Sequence, residues 1–226
     1  MSDLRPAPTP TTRRGARLLA LVASAVLLAG CYTGERPSFD DEDAVPTEPT
    51  GNDEIDGVLG LLDSVGNAQF TAGYAIETKF GDLSSTGLVV QAAGQRRSVT
   101  VDNEARSVRF IVDGQDERTC NLATAECEAS LNDARISDTQ LPHTFYGPAF
   151  AARLRADAAR RIADPTAYEK SIVGQQAQCV DVAVSGGTKT YCALPSGALA
   201  EFIGADVTIE LTSYSPEPDT SKFASG

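Results

Sequence analysis

From residue 53 the apolar positions recur at helical spacing. Ile55, Val58, Leu59, Leu62 and Val65 fall on one stripe. Asn52 or Asp53 can cap this segment and Gly66-Asn67 ends it, although Gly57 and Gly60 weaken it. The spacing predicts a short amphipathic helix over 53–66 that packs on a sheet. At residue 69 the period changes to two. Phe70, Ala72, Tyr74, Ile76, Thr78 and Phe80 alternate with other partners. Further strands are predicted at 88–90, 97–101, 108–112 and 118–122, the first three ended by Gly94, Asp102-Asn103 and Asp113-Gly114. Residues 128–143 fit neither period. A second helix is predicted over 147–163, with Pro148 near its start and Asp164-Pro165 stopping it. Phe150, Leu154, Ala158 and Ile162 share one face, and Arg153, Arg155, Arg160 and Arg161 lie mostly elsewhere. Strands resume at 168–173, 177–184, 189–194, 199–203 and 207–214, before the chain frays through Pro216 and Pro218.

Successive strands with short turns make an antiparallel meander. About ten strands and two helices give an α+β fold. With no second sheet to pack against, ten strands are expected to curl strongly, leaving a concave apolar face for the two helices to cover. Such an arrangement encloses a groove suited to an elongated apolar ligand. Phe150 and Leu154, on the helix face, are the candidate groove residues, together with small strand positions such as Ala72 and Ala92 that leave room.

The N-terminus changes the picture from fold to address. Arg5, Arg13, Arg14 and Arg17 precede an apolar run over 18–28 of 11 residues, LLALVASAVLL. A transmembrane helix needs roughly 20. Leu28-Ala29-Gly30-Cys31 follows at once. Small residues before a Cys, directly after such a run, resemble the lipobox of bacterial lipoproteins. The resemblance implies cleavage before Cys31 and a diacylglyceryl, palmitate-type modification of its thiol. It outweighs the alternative, an ordinary signal peptide with a chance Cys. The pair Arg13-Arg14 fits a basic leader better than a twin-arginine signal. Residues 1–30 are therefore a leader and 53–226 one domain. Between them, 31–52 carries Cys31, Pro37, Pro46, Pro49 and the acidic run Asp40-Asp41-Glu42-Asp43. That composition predicts a solvated spacer. It lacks the ligand spacing and mid-loop Gly of a calcium loop. Two acyl chains suffice for stable anchoring, so the expected location is the extracytoplasmic face of the cell membrane, lipid-anchored.

Four cysteines remain: Cys120, Cys127, Cys179 and Cys192. An even number in an exported chain reads as two disulfides. Of the three connectivities, local pairing is favoured, Cys120 with Cys127 and Cys179 with Cys192. In the second pair a hairpin whose partners sum to 371 places the two cysteines directly opposite. A Ser185-Gly186 two-residue turn or a four-residue loop over 184–187 gives that sum, and the four-residue loop is preferred. A Gly186-Gly187 turn would leave the cysteines diagonal. Spacings of six and twelve intervening residues do not suit zinc knuckles, and no redox-active Cys-x-x-Cys is present.

Charge and composition narrow the chemistry. The 226 residues hold 31 acidic and 19 basic side chains, a net charge of -12. Removing 1–30 takes away four Arg and one Asp, leaving 15 basic and 30 acidic residues and a net charge of -15. Nucleic-acid binding, which needs clustered Lys and Arg, is thereby disfavoured. The one His, His143, has no second His and no Gly-x-Ser-x-Gly elbow to work with. No pair among the many carboxylates stands out as a glycosidase dyad. The reading is a non-enzymatic monomer with no metal site and no cofactor.

The order of elements resembles the LolA/LppX/LprG-like superfamily of lipoprotein carriers and a set of actinobacterial lipoproteins. The resemblance covers about residues 54–223 and rests on order and spacing. Its residues are the 87–90 strand Gly-Leu-Val-Val, the strand and turn Phe110-Ile111-Val112-Asp113-Gly114 and the Cys120…Cys127 loop. It also takes in 172–179, Ile-Val-Gly-Gln-Gln-Ala-Gln-Cys, with Thr190-Tyr191-Cys192, the strand over 208–214 and Ser221-Lys222-Phe223. It implies a half-barrel that binds acyl chains or lipidated partners in its concave face. The expected function is thus a membrane-anchored lipoprotein that binds or carries a lipid or other hydrophobic ligand. The alternative is a cell-surface structural or interaction module whose core is filled by its own side chains.

Overall fold

The structure is a computed structural model that describes residues 48–79 and 82–224. The leader, Cys31 and most of the spacer lie outside the described residues. The first helix, α1, spans Asp53–Ser64 and runs on as a 3₁₀ turn over Val65–Asn67. Asn52 caps it, accepting a hydrogen bond from the Ile55 N–H at 3.1 Å. Asp56 bonds back to the N–H and hydroxyl of Thr50 at 2.7 and 2.8 Å. The predicted stripe is buried: Ile55, Val58, Leu59, Leu62 and Val65.

Eleven strands follow in one antiparallel sheet. The first six are β1 (Phe70–Thr78), β2 (Leu83–Ala92), β3 (Arg96–Asn103), β4 (Ser107–Asp113), β5 (Asp116–Asn121) and β6 (Glu126–Ala129). A linking segment holds a one-turn helix, α2 (Ile136–Thr139), and α3 (Pro148–Ala159). The last five are β7 (Thr166–Ile172), β8 (Gln175–Val184), β9 (Gly187–Ala193), β10 (Leu199–Ile203) and β11 (Val207–Ser215). The spatial order is β6-β5-β4-β3-β2-β1-β11-β10-β9-β8-β7. Each half is a meander, and the seam between the halves is the β1–β11 pair, bulged between Gly73 and Tyr74.

The strongly curled half-barrel of about ten strands is replaced by an open sheet of 11, with β6 and β7 at opposite ends. The strand missed is β6, all four of whose residues are exposed, so no apolar alternation marks it. The two helices do not cover one concave face. They pack on each other and on the β7–β9 end, while the linking segment reaches β3. The physical reason is that both faces of the sheet are used. On the helix side Tyr74, Ile76, Phe110, Tyr191 and Phe202 are buried. On the other side Phe223, from a 3₁₀ turn over Thr220–Phe223, covers Val90, Ala92, Ile111 and Cys120. Coverage by several separate pieces removes the need to curl, and open sheets of this width do occur in proteins.

Both expected disulfides are present, Cys120–Cys127 and Cys179–Cys192, each joining directly paired residues. The register sum of 371 holds, but Val184 pairs with Gly187, so the loop is the two-residue Ser185-Gly186 turn and not the preferred four-residue one. A left-handed backbone is required at Gly197, where φ is +83° and a Cβ would lie 2.5 Å from the Leu61 carbonyl oxygen. Glycine there lets the β9–β10 turn close against the end of α1.

Candidate functional site

The segment that no hydrophobic period explained, 128–143, is held by polar ties. Asn132 caps a 3₁₀ turn over Asp133–Arg135, accepting from the Ala134 N–H. Arg135 bridges Asp138 at 3.0 Å and Glu128 at 2.9 Å. The chain then makes α2 and reverses at Gln140, where φ is +53°. The Gln140 Oε1 accepts a hydrogen bond from the Thr78 hydroxyl at 2.9 Å, which ties this loop to the end of β1. Thr139, fully buried, donates to the Leu141 carbonyl at 2.8 Å.

Between this loop, the first turns of α3 and the start of β11 lies a surface pocket of about 520 Å³. Ile136, Leu141, Pro142, Ala149, Phe150 and Val207 give it an apolar lining, and Thr78, Ser137 and Gln140 give it a few polar atoms. Arg153 and Asp206 close one side as a two-pronged ion pair at 2.9 and 2.5 Å. Burial alone would lower the Arg153 pKa, but the Asp206 carboxylate outweighs it and the value is raised. For Asp206 burial is the largest single influence and pushes up, but Arg153, a backbone hydrogen bond and Lys189 together outweigh it, and the net shift is downward. The guanidinium also lies over the Phe202 ring, 4.6 Å from its centroid. The pair is therefore charged and fixed.

The four residues expected to line a groove are not brought together. Phe150 borders this pocket. Leu154 and Ala72 are fully buried in the main core. Ala92 is on the opposite face of the sheet, beneath Phe223. The sequence reading missed Arg153 and Asp206 as a pair, because 53 residues separate them. It also missed Gln140, whose role depends on a loop without periodicity.

A second polar cluster is buried under α3. Asp157 is 1% exposed, and both its oxygens accept from Lys189 Nζ at 2.8 Å. Tyr191 donates to it at 2.5 Å and Arg160 at 3.2 Å. Burial and then this carboxylate push the Tyr191 pKa upward. Among the described residues, no group of three or more His, Cys, Asp or Glu is placed to hold a metal ion. His143 is partly buried, its ring 5.3 Å from that of Phe110 and its Nδ1 3.4 Å from Asp133. That contact joins an imidazole to a carboxylate and supplies no nucleophile.

No family model matches the chain, and no curated protein matches it significantly. Solved structures do. The chain is similar to MucB with a TM-score of 0.52 and 11% identity, over 78% of this chain and 64% of that one. To the Pseudomonas aeruginosa MucA/MucB complex the figures are 0.50 and 12%, over 77% and 61%. It thus spans under two thirds of those chains. LprF from Mycobacterium bovis is similar at a TM-score of 0.41 and 12% identity, over 72% of this chain and 93% of that one. The first two likenesses are likenesses of fold.

Proposed function

We propose that the protein is a membrane-tethered, extracytoplasmic binding module that takes the apolar part of a lipid-like ligand in the pocket between residues 136–142 and α3. The observation that carries this reading is the pocket itself. Its volume of about 520 Å³ falls in the range of small-molecule sites, roughly 300–1,000 Å³. Its lining is apolar with a few fixed polar groups, the usual composition of such a site. Two disulfides suit an oxidising compartment. The tether rests on the lipobox at Cys31.

A second reading is a protein-interaction module. The filled interior around Tyr74, Phe145, Tyr191 and Phe202 favours it. So does the fold shared with MucB, whose complex with MucA has been solved. The test is displacement of a fluorescent fatty acid from the exported chain carrying Cys31→Ala. Saturable binding is expected, and Ala149→Trp, which fills the pocket, should abolish it without lowering Tm. Each methylene left unburied costs about 0.8 kcal/mol, so the loss should be orders of magnitude in Kd. No saturable binding at micromolar protein would favour the interaction module. In the native chain Cys31→Ala should also end palmitate labelling and membrane association. Persistent labelling would overturn the tether.

A further inference from the structure

Next to the apolar pocket, and sharing Arg153 and Asp206 with it, lies a second recess of about 270 Å³. It is lined by Arg153, Asp157, Arg160 and Lys189, and by Ser185 and Gly186 at the tip of the β8–β9 hairpin. Three cations face two carboxylates there, an excess of one positive charge. The carboxylates are both committed. Asp206 is held by Arg153, and Asp157 is buried beneath Lys189, Tyr191 and Arg160. Asp206 is itself half-exposed, but both its oxygens are taken by Arg153, and the most open group of the recess is a cation. Arg160 has a side chain 69% exposed, and Lys189 spends its bonds on Asp157 from a position 17% exposed. Other recesses carry the opposite sign. One has Glu54 and Glu169 in its lining, another Glu77, Asp102 and Glu104. In a chain of net charge -12 a positive recess is a local departure from the surrounding field. Its position, across one ion pair from an apolar pocket, gives the two recesses together the layout of an amphiphile.

We propose that the ligand is an anionic amphiphile, with its apolar chain in the pocket beside Phe150 and its carboxylate or phosphate monoester in the recess of Arg153, Arg160 and Lys189. This rests on the reading of the apolar pocket as the ligand site. The Arg153–Asp206 pair forms the ridge over which chain passes to head. Arg160, exposed and bonded to Asp157 and the Ala156 carbonyl through part of its guanidinium, offers the head group its remaining N–H donors, and Lys189 adds positive charge from below. A neutral head group would gain none of this. A cationic one would meet the excess charge unfavourably.

The experiment compares matched chains on the exported protein carrying Cys31→Ala, by displacement of the same fluorescent fatty acid at low salt. The competitors are dodecanoate, dodecyl phosphate, dodecanol, dodecyltrimethylammonium and inorganic phosphate alone. One charge-assisted contact at a half-exposed site should make both anionic chains bind about tenfold more tightly than dodecanol. The cationic chain should bind most weakly. The ratio of dodecanol to dodecanoate Kd should fall toward one in Arg160→Gln, and likewise in Ser185→Asp, which puts a negative charge at the hairpin tip. High salt should compress it in the same way. Inorganic phosphate at millimolar concentration should weaken dodecyl phosphate and leave dodecanol unaffected. If dodecanol and dodecanoate bind equally and neither variant changes their ratio, the head-group recess is overturned while the apolar pocket stands. If no chain binds, the pocket reading falls and this inference with it.

Discussion

At the scale of single residues, the sharpest departures from sequence expectation are polar groups placed inside. Asp157 sits on α3 among Phe150, Ala151, Leu154 and Ala158, all buried. Its spacing, seven residues after Phe150, puts it on that buried face, and only its charge would argue for solvent. It is tolerated because Lys189 and Tyr191 reach it from β9, two groups that local sequence cannot connect with it. Phe150 was legible because helical spacing assigns it to the apolar face. Arg153 shared the neighbouring turn, and its partner lay a whole meander away. His143 illustrates the same limit and carries a prediction. Burial first, then Arg97, lowers its pKa below the ordinary 6.5, against the weaker pull of Asp133. The folded state therefore binds fewer protons than the unfolded chain as pH falls through that region. Stability present above about pH 6.5 is lost on acidification until the folded pKa is passed, with a slope of at most about 1.4 kcal/mol per pH unit. Urea melts between pH 7.5 and 5 should show this decline, and His143→Gln should flatten it. An unchanged slope in the variant would assign the decline to other groups.

At the scale of elements, what the sequence makes visible depends on whether burial is one-sided. Strand β1 alternates and was readable, as was the stripe of α1. Strand β6 is exposed throughout, and α2 is one turn held by Arg135, Asn132 and Gln140. Neither leaves a hydrophobic signature. Cysteines escape that limit, because chain-local pairing and turn register fix them together. The two bridges nevertheless differ in setting. Cys179 and Cys192 are both buried between β8 and β9, whereas Cys127 is exposed on the edge strand β6. A reductant must reach a sulfur to attack it. Cys120–Cys127 should therefore open first under mild dithiothreitol, as read by thiol trapping and peptide mapping. Opening Cys179–Cys192 should need unfolding conditions. Replacing Cys179 and Cys192 together by Ser should cost about 3 kcal/mol, the value for a loop near this length. Earlier trapping of Cys192 than of Cys127 would contradict this ordering.

For the whole molecule, the governing feature is that one wide sheet carries buried residues on both faces, the second face being covered locally over β2–β5. The helices and the linking segment serve one side, and the C-terminal turn serves the other. Expecting a curled sheet followed from counting only the helices as covering elements. The segment around Phe223 is short, flanked upstream by Pro216 and Pro218, and gives no period to read. Its attachment is substantial all the same. Phe223 is 5% exposed, with the Arg96 guanidinium 4.7 Å from its ring centroid. Ser98 donates to the Lys222 carbonyl at 2.8 Å, and Arg118 to that of Phe223 at 3.4 Å. If this turn is a true second-face core, Phe223→Ala should cost about 3 kcal/mol, as for other buried Phe positions. It should also uncover Val90, Ala92 and Ile111 to a hydrophobic dye. Calorimetry and dye binding measure the two effects. Because the pocket beside Phe150 lies on the opposite face, fatty-acid affinity of the folded variant should stay within about twofold of the parent, the expectation for distant sites with no shared partners. A loss under 1 kcal/mol would make the C-terminal turn an appendage. A parallel loss of affinity would mean that the two faces are coupled through the sheet, and that the pocket depends on packing it does not touch.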